Sequence, residues 1–333
     1  MKTAKQASDK FELGRNFANK LWNAARFLLL NLDDYKPAAI LPEELPIEDR
    51  WILSRLATTT EAVTNQLESY HLSEAARTIY DFTWSEFCDW YLEMSKGRLR
   101  DPGSRATVQR VLVGVLDAIL RLVHPIMPFV AESIWQTLAE SAFERGLPNP
   151  EPATESIVIA SWPELPKSYI NRRIEESMAR LQDWVRTFRE FRTYPSLRER
   201  TKILGFISTN SDEVARDVDS LKAFVESLAG VTLSRELEKS QPIGSGRLRI
   251  GGSANYSLSV PRDLIDSAQE MKRLEKNLAT KRTQLQNLEK KLKDASFIEK
   301  APIEVVSQQR DLLVSVQKQI AEIEVNLQEL QQP

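Results

Sequence analysis

From Leu264 to the carboxyl terminus, apolar residues recur at alternating spacings of three and four, and this pattern leaves little freedom in how the segment folds. Leu264, Met271, Leu274, Leu278, Leu285, Leu288 and Leu292 form the first run, with Ser267 and Lys281 in its two gaps. After Pro302 the rhythm returns in Val306, Leu313, Val316, Ile320, Ile323, Leu327 and Leu330. A repeat of this period lays a narrow apolar seam along each helix. Two such helices, joined by about ten residues, are expected to fold back as an antiparallel coiled-coil hairpin. At 1.5 Å per residue each helix reaches about 40 Å. So slender a pair has too little core to be a compact domain, and residues 263–333 are predicted to project as an arm. With the seam closed inside one chain, a monomer is expected.

The charge on this arm is lopsided. Between Met271 and Lys293 the first helix carries Lys272, Arg273, Lys276, Lys281, Arg282, Lys290, Lys291 and Lys293 against Glu275 and Glu289. The second helix is acidic on balance. Formal net charge over the 333 residues is only -2, so the sum says nothing about a polyanionic partner and the distribution must. Charged helix faces are ordinarily just solvated. Several cations on one projecting edge also form a surface suited to phosphates, because affinity for a nucleic-acid backbone grows with the number neutralised.

Upstream, residues 1–165 read as helix after helix. Phe17, Leu21, Trp22, Ala25 and Leu28 recur at helical spacing, and Asp33-Asp34 followed by Pro37 and Pro42 stops that helix. Trp51, Leu53, Leu56, Val63 and Leu67 mark a second helix closing near Tyr70-His71. Ser73 has a side chain able to cap a third, which carries an aromatic run from Tyr80 through Trp84, Phe87, Trp90 and Tyr91. A fourth helix spans about Arg105 to His124, and Pro125 and Pro128 interrupt it before another from Phe129 to Leu138. This is an all-α bundle with short connections.

The Pro-rich stretch from Pro148 to Pro166 marks a change of character. A charged helix from about Tyr169 to Phe191 comes next. Strand-like runs follow at Ile203–Ser208, Val231–Leu237, Leu248–Gly251 and Tyr256–Val260, with a helix near Glu213–Leu228. Residues 166–262 therefore read as a small α/β module with a tight hairpin that turns on Gly244 and Gly246 or on Gly251-Gly252. The fold class is mainly α: a helical bundle, a small α/β module and a coiled-coil hairpin.

Several function classes drop out. The single cysteine, Cys88, can form no internal disulfide and cannot build a multi-cysteine zinc site; among aromatic neighbours it reads as a small core residue. The longest apolar runs, such as Phe27–Leu30 and Val111–Val115, are far short of the ~20 residues a spanning helix needs, and the polar start from Met1 to Lys10 has no signal-peptide character. A cytoplasmic protein is expected, with no membrane partner.

Four stretches carry a family resemblance. RNFANKLWNAARF (Arg15 to Phe27), WSEFCDWYLEMSKGRL (Trp84 to Leu99) and HPIMPFVAESIW (His124 to Trp135) resemble the anticodon-binding domain of the valine, isoleucine and leucine class of tRNA synthetases. KLKDASFIEKAPIEVVSQQR (Lys291 to Arg310) is similar to the tip of the coiled-coil arm of valyl-tRNA synthetases. VRTFREFRTYPSLRER (Val185 to Arg200) follows the family only approximately. Isoleucine enzymes commonly end in a cysteine-based zinc module and methionine relatives in a small barrel, so the valine family is the nearest likeness.

That resemblance implies a tRNA-binding part of a valine–tRNA ligase, with valine tRNA as partner and the ATP- and magnesium-dependent chemistry done elsewhere. The family's catalytic domain carries a His-Ile-Gly-His type motif and a Lys-Met-Ser-Lys-Ser loop. Neither His71 nor His124 lies in such a context, and Glu93-Met94-Ser95-Lys96-Gly97 echoes the loop only superficially, inside an aromatic helix. Gly244-Ser245-Gly246 is followed by no helix start and is not a phosphate loop. No catalytic residue, metal site or cofactor is therefore assigned, and a separate amino-terminal catalytic half becomes a second expected partner. On the first helix Arg15, Asn19, Lys20, Asn23 and Arg26 are the candidate tRNA contacts. Lys96, Arg98 and Arg100 form a second basic patch, and Lys272, Arg273, Lys276, Lys290 and Lys291 a third. Trp84, Trp90, Tyr91 and Trp135 have the chemistry to stack on splayed bases, although at helical spacing they read first as core. His124, before Pro125, reads as a helix-end residue held by hydrogen bonds. The alternative function is a stand-alone RNA-binding or coiled-coil interaction protein derived from a synthetase.

Overall fold

The computed structural model describes residues 2–193, 197, 203–237, 247–264, 267–293 and 303–331. The chain forms two compact units, Met1–Met178 and Ala179–Pro333.

The first unit contains α1 (Lys2–Leu29), α2 (Ile47–Glu68), α3 (Leu72–Asp81), a π-helical stretch (Phe82–Tyr91), α4 (Leu92–Arg98), α5 (Arg105–Val123) and α6 (Pro128–Ser141). Its centre is α5. Val108, Val111, Val113, Val115, Leu116 and Leu120 are fully enclosed, so this helix is apolar on nearly every side, as a central helix must be. Gly114 sits where Leu147 crosses the helix; a methyl group there would lie 2.6 Å from the Leu147 Cγ. The strands β1 (Glu144–Arg145) and β2 (Glu151–Pro152) pair briefly beside it, a small feature that the helical periodicity did not announce.

Ion pairs set the ends of these helices. Arg105, at the start of α5, forks onto Asp34 at 2.8 Å and donates to the carbonyls of Asn31 and Leu99 at 3.1 and 2.7 Å. Gln109 adds bonds of 2.7 Å to Asn31 O and to Asp34. The arginine and the amide hold the Asp34 carboxyl well below the usual carboxylate range. Deeper in, Asp49 of α2 accepts from Tyr91 at 2.7 Å and from both Arg98 nitrogens at 2.6 and 2.8 Å.

Two expectations are corrected here. The third helix starts with His71 as its cap, without a side-chain bond, so Ser73 lies inside the first turn. His124 closes α5 through its backbone N–H, donating to Leu120 O at 2.9 Å, but its buried Nδ1 has no partner among the described residues.

The π-helical stretch has a legible cause. Phe82, Phe87 and Leu92 are all buried at a spacing of five, as are Thr83 and Cys88. Wider turns, bonded i to i+5, keep these side chains on one face.

The second unit takes in the rest of the charged helix α7 (Arg172–Phe191), within which the boundary between the units falls, and a four-stranded sheet. Strands β3 (Ile203–Thr209), β4 (Val231–Leu237), β5 (Arg247–Gly252) and β6 (Ser257–Pro261) lie in the order β4-β3-β6-β5. The β3–β4 pair is parallel and is bridged by α8 (Asp212–Ala229), capped at its start by Ser211 and ended by Gly230 at φ 65°. The other pairs are antiparallel. The predicted hairpin is β5–β6; Gly252 takes φ 145° at its turn, while Gly244 and Gly246 lie outside the described residues. From α7, Trp184 meets Tyr256 edge-on at 5.7 Å and Phe188 covers Gly205, where a methyl group would come within 2.7 Å of the ring.

Helices α9 (Ser267–Lys293) and α10 (Ile303–Gln331) pair along the predicted seam, and α10 also packs against β5. Leu274, Leu288, Val306, Val316, Ile323 and Leu327 are buried in the seam. Leu264 departs from expectation, because it is buried in a single 3-10 turn ahead of the helix. The hairpin tip, residues 294–302, lies outside the described residues.

Candidate nucleic-acid interface

At 100° per residue, the buried positions Phe17, Leu21, Ala24 and Leu28 of α1 share one side of the helix. Arg15, Asn19, Trp22 and Arg26, spaced four, three and four, fall within a strip of about 60° on the opposite side, and Asn23 flanks it. All five are exposed. Asn19, Asn23 and Arg26 have no hydrogen-bond or ion-pair partner among the described residues, and Arg15 meets only the exposed Glu12 at 3.7 Å. Trp22 differs from its expected place in the core: 46% of it is open, whereas Trp51, Trp135 and Trp184 are at most 3% exposed. Its phase on the helix was readable, but hydrophobicity alone assigned it inward.

Lys20 lies about 100° round the helix from this strip and is occupied. Its ammonium is 2.6 Å from Asp89 and 5.0 Å from the centre of the Trp84 ring. Tyr80 stacks on Trp84 at 5.4 Å, so Trp84 already has partners for its π surface. Tyr91 and Trp135 are buried core residues, and Trp90 is half-buried.

The second patch divides. Lys96 is exposed, bonded to Glu93 at 2.6 Å and 6.0 Å from the Phe27 ring, which brings α4 alongside α1. Arg100 is exposed and carries no ion pair among the described residues. Arg98 differs from expectation, because its guanidinium turns inward onto Asp49 and lies 3.0 Å from Glu48. Two carboxylates sealed inside the bundle outcompete water for it, and without Arg98 they would be buried and uncompensated.

On α9 the seam positions again define the phase. Lys272, Lys276 and Lys290 fall within about 40° of one another on the side opposite the seam, with Ala279 and Thr283 between them. None of the three has a side-chain partner among the described residues. Over 18 residues this row is about 27 Å long. Arg273 and Lys291 lie on its flank, and Lys291 reaches Gln309 on α10 at 3.3 Å. Farther round, Arg282 pairs with Glu324 of the second helix at 2.7 Å and is neutralised by it.

The remaining chemistry is structural. Burial pushes the Cys88 thiol up to about 12, which disfavours the thiolate. Asp117 joins Arg145 at 2.8 Å and Arg121 at 2.6 Å beside a polar cavity of about 310 Å³. Among the described residues no group of His, Cys, Asp and Glu could hold a metal ion, and no helix is long and apolar enough to cross a membrane.

Residues 49–205 match a family model described as the anticodon-binding domain of tRNA ligase, and residues 266–331 one described as the valyl tRNA synthetase tRNA binding arm. A valine–tRNA ligase of Rhodopirellula baltica is 36% identical over 97% of this chain, which covers 31% of that protein. Those of Thermotoga maritima and Symbiobacterium thermophilum are each 38% identical, over 96% and 91% of this chain and 35% and 34% of their own lengths. The chain thus spans about a third of the length of these curated relatives. With both domain types present in one chain, and full-length relatives aligned across both, the chain belongs to the valyl-tRNA synthetase family.

Proposed function

We propose that the chain is the tRNA-gripping portion of a valine–tRNA ligase and that its ligand is valine tRNA. The helical bundle takes the anticodon arm through the strip on α1 and the exposed Lys96 and Arg100. The coiled coil lies along the outer corner of the folded RNA with its α9 face inward. The observation that carries this reading is the row Lys272, Lys276 and Lys290, three exposed ammonium groups turned away from the seam and with no side-chain partner among the described residues. A row about 27 Å long spans several phosphates of an RNA backbone. Such contacts contribute to a reaction at a distance: they hold the acceptor end in register, while the ATP- and magnesium-dependent transfer belongs to a catalytic domain outside this chain.

Filter binding of a valine tRNA transcript to the purified chain at low salt tests the proposal. Saturable binding that falls steeply with salt is expected, and undetectable binding at low salt would refute it for this chain. Mixing with an amino-terminal catalytic half is expected to restore valylation. The interaction-protein reading is the weaker one, because the apolar seam of α9 is covered by α10 of the same chain and is not left open for a second copy.

A further inference from the structure

We infer that Trp22 is a stacking platform for an unpaired base of the bound RNA, a role that rests on the tRNA-binding reading above and adds a residue to it. Of the seven tryptophans, only Trp22 is exposed. An indole buries 150–250 Å² when enclosed, so leaving nearly half of one in water forgoes a large part of that stabilisation. Its place on the helix gives the reason. Trp22 lies in the middle of the strip Arg15–Asn19–Trp22–Arg26, which runs about 16 Å along α1 opposite the buried side. A guanidinium sits on either side of it, Arg15 seven residues before and Arg26 four after, and the amides of Asn19 and Asn23, without partners among the described residues, stand beside it. Arginines for phosphates, amides for base edges and one open aromatic face are the parts with which proteins hold single-stranded RNA. Three of the other candidate aromatics are engaged, Trp84 by Lys20 and Tyr80, Tyr91 by Asp49 and Trp135 by the core, and Trp90 is half-buried. Trp22 has no such partner, and its indole N–H has no acceptor among the described residues. A base stacked here would come from a loop or an unpaired end, because bases inside a helix have no free face.

The experiment compares Trp22→Ala, Trp22→Phe and Arg26→Ala in the full chain, using fluorescence anisotropy of labelled valine tRNA across a salt series. Trp22→Ala is expected to weaken binding roughly tenfold or more without changing the slope against salt, because stacking releases no counterions. Trp22→Phe should recover most of the loss, and Arg26→Ala should reduce the slope by close to one phosphate's share. A stem-loop RNA should show the Trp22 effect, and the same stem as a blunt duplex should not. Unchanged affinity in Trp22→Ala while the parent chain binds overturns the inference. An equal loss in Ala and Phe variants, accompanied by a lower melting temperature, also overturns it, because that marks a packing role. If the parent chain itself fails to bind tRNA at low salt, the underlying reading fails instead.

Discussion

Reversing the row on α9 gives the sharpest test of how the arm works. In the triple variant Lys272→Glu, Lys276→Glu and Lys290→Glu the seam is untouched, because all three positions lie opposite Leu274, Leu288 and Leu292. The hairpin should therefore keep its helicity and its melting temperature. If each lysine neutralises one phosphate, the slope of log affinity against log salt falls by about 0.9 per contact, or about 2.7 in all. Between about 50 and 200 mM salt the parent chain would then lose roughly 40-fold more affinity than the variant, on top of a weaker starting value for the variant. Anisotropy titrations at four or five salt concentrations measure both quantities, with circular dichroism as the folding control. Parallel salt plots for the two proteins would refute the reasoning, even with a lower affinity in the variant, because a fold defect lowers affinity without removing counterion release.

Three further outcomes follow from packing and charge. Gly114→Ala places a methyl group 2.6 Å from the Leu147 Cγ, so its gain in helix propensity of about 1 kcal/mol should be outweighed by overpacking of about 1–3 kcal/mol, read as a lower melting temperature that Leu147→Ala partly restores. Lys281 occupies a seam position and is half-exposed; Lys281→Leu should stabilise the hairpin by about 1 kcal/mol, seen as slower hydrogen exchange in α9 and α10. The Asp34 carboxyl is held low by Arg105, so its contribution to stability is complete above the ordinary aspartate value near 4 and is lost as pH falls below it. Asp34→Asn should flatten that part of the acid-unfolding curve, and identical curves for the two proteins would remove the pair from the account.

What could be read in advance followed the strength of the local signal. The heptads at Leu274–Leu292 and Val306–Leu327 fixed the pairing of α9 with α10, because only one side of each helix is apolar. The four strand-like runs emerged as β3 to β6, since β-branched residues alternate between glycine punctuation. The π-helical stretch was invisible: a search at 3.6 residues per turn passes over Phe82, Phe87 and Leu92, which line up only at five. In the interface, exposure of Arg26 and Lys276 was legible from helical phase. The inward turn of Arg98 was not, because it depends on Asp49, which is far away in sequence and close only after folding. Trp22 was misplaced for the opposite reason, since its residue type pointed inward while its phase pointed out.

The widened turns between Phe82 and Tyr91 also determine where the later cations end up. Each residue in such a turn advances the helix by roughly 20° less than an α-helical residue, so the stretch lags by something on the order of half a revolution. Lys96, Arg98 and Arg100 inherit that lag. Had the same residues wound as an ordinary α-helix, the guanidinium that now meets Asp49 would swing toward solvent and the ammonium beside Phe27 would leave α1. The aromatic packing thus acts as a gear, and shortening the stretch by a single residue would re-aim charges that lie well outside it.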